Sequence, residues 1–218
     1  MVGMSLDLAD AEDFGAGTAQ PSSTASAHVT LAERTRELID AVALTDVPEA
    51  ELAAVAAEVA ALTERLNAIR FDGPRPFELA PDGTFRHLVN AVTGEYNPHA
   101  LPLVVEPDPA GGVRADLCFR AVHEGPPSYV HGGVSAMILD HLLGQAAAMA
   151  GFRGVTGTLS IRYVRPVPLG RPVVGRAAVT RSEGRKTWVD GGIALPDGTP
   201  LVEATGLFIV PSAWKTGE

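Results

Sequence analysis

Apolar positions recur at spacings of three and four through Leu52, Val55, Val59, Leu62, Leu66 and Ile69, with Glu51, Glu58, Glu64 and Arg65 off that stripe. This spacing predicts an amphipathic helix. Pro48 falls in its first turn, where the missing N–H costs nothing. Upstream, Thr30 reads as an N-cap with Glu33 at the capping-box position, opening an earlier helix to about Leu44. The two are expected to form a helical hairpin over residues 30–70, packed on the main domain or on a partner subunit. Residues 1–29 are rich in Ala, Ser, Thr, Gly and Asp and carry no apolar period, which reads as a disordered leader. The Phe71-Asp-Gly-Pro-Arg-Pro76 stretch opens a linker over 71–94.

From Leu101 the period changes. Leu101–Glu106 and Val113–Arg120 read as short strands around a turn at Asp108-Pro-Ala-Gly-Gly112. A helix follows from about Gly132 to Ala150, then strands at Thr156–Val164, Pro172–Arg181, Thr187–Leu195 and Leu201–Val210. Between Thr158 and Tyr163 polar and apolar residues alternate, the mark of a sheet apolar on one face. The order β-β-α-β-β-β-β with short turns predicts an α+β domain over 95–212, an antiparallel sheet covering one apolar helix. Residues 213–218 form a tail.

Composition narrows the function classes. The chain has 218 residues, 46% of them hydrophobic and 20% charged, with a net charge of -9. That length and apolar content allow a sizeable core, and the acidic balance argues against general nucleic-acid binding. The charge is uneven: residues 151–218 carry nine basic and five acidic groups. Either a small anionic ligand or solvated strand edges account for this local excess. Cys118 is the only cysteine, which excludes an intrachain disulfide and a Cys-rich zinc site; in its apolar run it reads as a small buried hydrophobe. The N-terminal stretch lacks the basic and apolar regions of a secretory signal, and no segment has the roughly 20 apolar residues of a membrane span. A cytoplasmic location is expected.

Candidate chemistry gathers in Gly125–Gly144. His131-Gly132-Gly133 stands where a loop becomes a helix, so the free N–H groups of the first turn, backed by the helix dipole, suit a carbonyl oxygen or oxyanion. The helix is apolar nearly all round, which predicts burial on all sides. Within it lies Asp140, too far inside to cap, with poor helix propensity and a desolvation cost to offset. It reads either as a structural carboxylate bonded to a neighbour or as a base or nucleophile beside an oxyanion hole. His131 either braces the loop or takes part in catalysis. No serine stands in a Gly-x-Ser-x-Gly elbow, no phosphate or dinucleotide fingerprint is present, and His123, His131 and His141 lack zincin spacing, so no metal is expected.

Together with Val155-Thr-Gly-Thr-Leu-Ser-Ile-Arg-Tyr-Val-Arg-Pro-Val-Pro168, the His131-Gly132-Gly133 and Asp140 pattern resembles the hotdog-fold thioesterases, in the group that includes bacterial phenylacetate-pathway thioesterases and thioesterase superfamily members 4 and 5. The resemblance covers about residues 95–212. It implies a hotdog fold and hydrolysis of acyl-CoA thioesters in lipid metabolism, without a cofactor beyond the coenzyme A of the substrate. Asp140 would activate water or attack the thioester carbonyl, and the Gly133 amide, with Gly132, would hold its oxygen. Thr156 would help position the carboxylate or water from a neighbouring subunit, and His131 would brace the loop or polarise the carbonyl. Asn97 and Tyr129 match acyl-pocket or loop positions, and Arg165, Arg185 and Lys186 are candidates for the coenzyme A phosphates. The implied assembly is a homodimer or a dimer of dimers. A non-catalytic acyl-CoA-binding protein and a hydratase on the same fold are the rival readings.

Overall fold

A computed structural model describes residues 26–73, 75, 78–79, 85–101 and 103–212. Most of the expected leader and the 213–218 tail lie outside the described residues. Helix α1 spans Ala27–Leu44, and its N-cap is Ser26, whose side chain accepts from Val29 N–H. Thr30 is therefore already inside the helix, its N–H donating to Ser26 O at 3.1 Å. Helix α2 spans Glu49–Asn67 behind Pro48. A two-residue hairpin follows, β1 (Glu78–Leu79) and β2 (Phe85–Arg86), then β3 (Glu106–Pro107), β4 (Val113–Cys118), α3 (Gly132–Met149), β5 (Val155–Tyr163), β6 (Pro172–Glu183), β7 (Lys186–Ala194) and β8 (Pro200–Ile209).

Strands β3 to β8 form one antiparallel sheet in the order β3-β4-β6-β7-β8-β5. It curves around α3, whose Ile138, Leu139, Leu142 and Leu143 are fully buried against Val173, Val189, Ile193 and Val202. Glycines on the concave face let the helix sit close. A Cβ at Gly175 would come within 2.5 Å of Leu142 Cδ1, and one at Gly191 within 3.1 Å of Leu143 Cδ2. This is the hotdog architecture, and the α+β expectation with its strand–helix order holds. Two assignments change. The expected strand over 101–106 is irregular up to Glu106; Leu101 and Leu103 are buried there as anchors of a loop. Cys118 is exposed, because β4 alternates Val113, Ala115 and Leu117 inward and sends Cys118 to the outer face.

The two helices of the expected hairpin differ in how they pack. Helix α1 docks on the domain through Arg36, which is only 8% exposed. Its Nε donates to Ala100 O at 3.0 Å and its Nη2 to Asn97 O at 3.2 Å. Arg120 answers from the domain side, donating to Asp40 Oδ2 at 2.6 Å and to Arg36 O at 3.2 Å. Helix α2 buries no residue, so among the described residues its apolar stripe stays largely uncovered. The stretch expected as a linker also contributes to packing: Leu88 and Val92 are buried. Among the described residues no helix is long and apolar enough to cross a membrane.

Candidate active site

The loop before α3 is held from several sides. Gly125 N–H donates to Tyr129 O and Tyr129 N–H to Pro126 O, both at 2.9 Å, and Val130 N–H reaches Val167 O at 2.9 Å. Ser128 sits at φ +70°, its N–H donating to Glu124 Oε1 at 2.7 Å. A side chain at Gly125 would collide with His131 Cα at 2.7 Å, which is why a glycine stands there. These contacts deliver His131 to the N-cap of α3. Its carbonyl accepts from Val134 and Ser135, and its Nδ1 accepts from Gly133 N–H at 3.0 Å. The loop-bracing reading of His131 thus has direct geometry behind it, and the Gly133 N–H is capped by the imidazole. Among the described residues the Gly132 N–H has no acceptor, as expected for the first turn of a helix.

Asp140 lies two turns further along α3, half-buried rather than enclosed. The expectation that α3 would be covered on all sides fails for a structural reason. The sheet covers Ser135, Ile138, Leu139, Leu142, Leu143, Ala146 and Ala147, and leaves Gly133, Ala136, Met137, Asp140 and Gly144 incompletely covered. Asp140 Oδ1 accepts from Thr156 Oγ1 at 2.8 Å. Thr156 belongs to the same chain, so the carboxylate it positions here is its own copy's. Next to it, His141 carries a buried Nε2 with no hydrogen-bond partner among the described residues. Burial holds its pKa below the ordinary imidazole value, with the Asp140 charge opposing in part.

Gly133 and Asp140 share a helix face, since seven residues fall about 20° short of two turns, but that step spans about 10 Å along the axis. One carbonyl group cannot touch both. The sequence-predicted residues therefore fall into two clusters at opposite ends of β5. At its C-terminal end, Tyr129, Gly132, Ser135, Tyr163, Arg165 and Pro166 line a depression of about 370 Å³. Tyr163 OH donates to Gly132 O at 2.9 Å, and Arg165 is tied to Pro200 O at 2.9 Å. At the N-terminal end, Thr156 and Val155 align across β8 with Thr187 and Lys186, and Arg185 holds Val210 O at 3.0 Å. Arg185 and Lys186 thus lie at the Asp140 end of the sheet, with Lys186 alternating to the face opposite Thr187, and Arg165 lies at the glycine end.

Of the pocket and loop readings of Asn97, the hydrogen bonds are those of a loop position. Its Nδ2 donates to Val89 O and Asn90 O, its Oδ1 accepts from His99 N–H, and it braces the loop on which Arg36 docks. Tyr163, which the sequence reading does not single out, lies against the start of α3 on the wall of the depression of about 370 Å³. Its signal was a polar tip at the end of an otherwise apolar alternation, Leu159-Ser-Ile-Arg-Tyr163. A second depression, about 400 Å³, lies on the outer face of the sheet between Asp108, Arg176 and Glu203, away from both clusters.

Residues 128–199 match the profile of the thioesterase superfamily. Over 87 residues, 39% of the chain, the sequence is 38% identical to the acyl-coenzyme A thioesterase THEM4 of Xenopus laevis and 39% identical to that of Mus musculus. The chain spans only 39% and 37% of the length of these relatives. A crystal structure of a thioesterase superfamily protein superposes with a TM-score of 0.76 at 35% identity, covering 87% of this chain and 97% of that one.

Proposed function

Since the chain belongs to the thioesterase superfamily, we propose that it hydrolyses acyl-coenzyme A thioesters, water and thioester giving the free acid and coenzyme A. The observation that carries this reading is the Asp140–Thr156 pair on the uncovered face of α3, a carboxylate oriented by a hydroxyl and open to a reactant. Asp140 takes a proton from water as the oxygen attacks the thioester carbon, or attacks that carbon itself. The carbonyl oxygen, gaining negative charge, is held by the N–H groups at the start of α3. The substrate replaces the His131 imidazole as acceptor at Gly133, with Gly132 N–H beside it. Such donors are worth about 10²- to 10³-fold each and a general base about 10²- to 10⁴-fold.

The roughly 10 Å between Gly133 and Asp140 supports a site composed from two copies. A two-fold axis passing between Ala136 and Met137 sets Gly133 of one copy beside Asp140 of the other, twice over. The partner would rest on the uncovered face of α3 and beside β5, whose outer edge is unpaired among the described residues. That arrangement also joins the two clusters: the depression and Arg165 from one copy, with Asp140, Thr156, Arg185 and Lys186 from the other. The basic side chains would meet the coenzyme A phosphates.

A second reading, acyl-CoA binding without turnover, draws on one observation, the capping of Gly133 N–H by His131. A panel of thioesters from acetyl to palmitoyl and aryl-acyl coenzyme A, assayed by release of free thiol, separates the two. Turnover that collapses in Asp140→Asn with the fold intact supports hydrolysis. Retained binding with no turnover on any member supports the second reading.

A further inference from the structure

Resting on the hydrolase reading above, we propose that Tyr163 is a positioning residue for the peptide unit joining Gly132 to Gly133. Tyr163 OH donates to Gly132 O at 2.9 Å. That carbonyl belongs to the same peptide group as the Gly133 N–H, so one rigid plane carries the phenol's hydrogen bond on one side and the oxyanion donor on the other. A hydrogen bond to the carbonyl polarises the group and makes its N–H a better donor. It also fixes the plane, and hence the direction in which the N–H points.

The contact is built from both partners. Gly132 has no Cβ, and one added there would stand 3.2 Å from both Cζ and the hydroxyl oxygen of Tyr163. Glycine therefore leaves room for the phenol to lie against the helix start. Tyr163 is the last residue of β5, the strand whose second residue, Thr156, holds Asp140. One strand orients the base at one end and the oxyanion peptide at the other. The tyrosine is 55% exposed, with its ring on the wall of the 370 Å³ depression, so loss of its hydroxyl removes no core packing.

Tyr163→Phe in the full chain tests this. Loss of one orienting hydrogen bond predicts about a 5- to 10-fold lower kcat on the best thioester, with KM within about twofold. The Gly133 amide proton, followed by ¹⁵N–¹H NMR, shifts upfield as its peptide loses the bond to the phenol. Gly132→Ala pushes the phenol away by a separate route and lowers kcat similarly, and the double variant is no worse than either single one. An unchanged kcat in Tyr163→Phe, an unmoved Gly133 resonance, or additive losses in the double variant overturns the inference while leaving the hydrolase reading intact. A wild-type protein inactive on every thioester, or an Asp140→Asn variant of undiminished turnover, overturns the reading itself and the inference with it.

Discussion

Thr156 Oγ1 donates to Asp140 Oδ1 over 2.8 Å, from the edge strand β5 to the exposed stripe of α3. The hydroxyl is held by sheet register and the carboxylate by the helix, so their meeting depends on how α3 crosses the sheet. That crossing is set by the buried leucines and the concave glycines. The orientation of the proposed base is thus a consequence of core packing.

Replacing Thr156 with valine removes the hydroxyl and keeps the shape. The carboxylate loses its orienting partner, and kcat should fall about tenfold. Thr156→Ser restores the donor and should return most of the rate. Steady-state thiol release on both variants, with melting temperatures as a control, checks the pair.

Complementation tests the composite site. Asp140→Asn and Gly133→Val are each expected to be nearly inactive alone. In mixed pairs of the two chains one of the two sites keeps both wild-type residues, so co-expression should restore about a quarter of wild-type activity. Sites complete within one chain would show no recovery on mixing.

The basic side chains at the Asp140 end make a prediction about substrate size. Arg185→Ala with Lys186→Ala should raise KM for acyl-coenzyme A about 3- to 10-fold and weaken its salt dependence. The same change should leave KM unaltered for an acyl-pantetheine, which lacks the nucleotide phosphates. Paired kinetics on the two substrates measure the difference.

Two half-buried histidines give stability a pH dependence. Burial lowers the pKa of His123, with Arg120 adding to the shift, and burial likewise lowers that of His141. Both therefore give up their proton more readily in the fold, while the unfolded chain protonates them near about pH 6.5. Below that value the unfolded state binds more protons, so stability is full above about pH 6.5 and declines as pH falls toward the folded-state pKa values. Urea unfolding at about pH 7.5 and 5.5 should show the loss, and His123→Gln with His141→Gln should flatten it.

The strand–helix order, the span of α3 and the two chemical landmarks on it were legible because each rests on local pattern. Alternation in β5 and the glycine pair at the helix start need no partner to be read. What was missed depends on tertiary placement. Leu101 and Leu103 look like strand residues, but they serve as loop anchors, and no ladder reaches them. The all-round apolar character of α3 predicted enclosure, whereas the sheet closes on one side alone. Between the pocket and loop readings of Asn97 the sequence could not choose, because the choice rests on carbonyls of its own loop that its amide meets only in the fold. The Arg36–Asp40–Arg120 dock joins residues 80 and more positions apart, a separation at which composition carries no signal.

The outward turn of Cys118 has a practical consequence. It is the only thiol in the chain and stands exposed on the outer face of β4, opposite the helix that carries Asp140. A maleimide spin label would therefore mark a single place per chain without entering the site. In an assembled pair the two labels report one distance, and that distance reads the arrangement of copies directly. The same thiol adds a fixed background to any colorimetric assay of released coenzyme A, one equivalent per chain, and this serves as an internal standard for protein concentration.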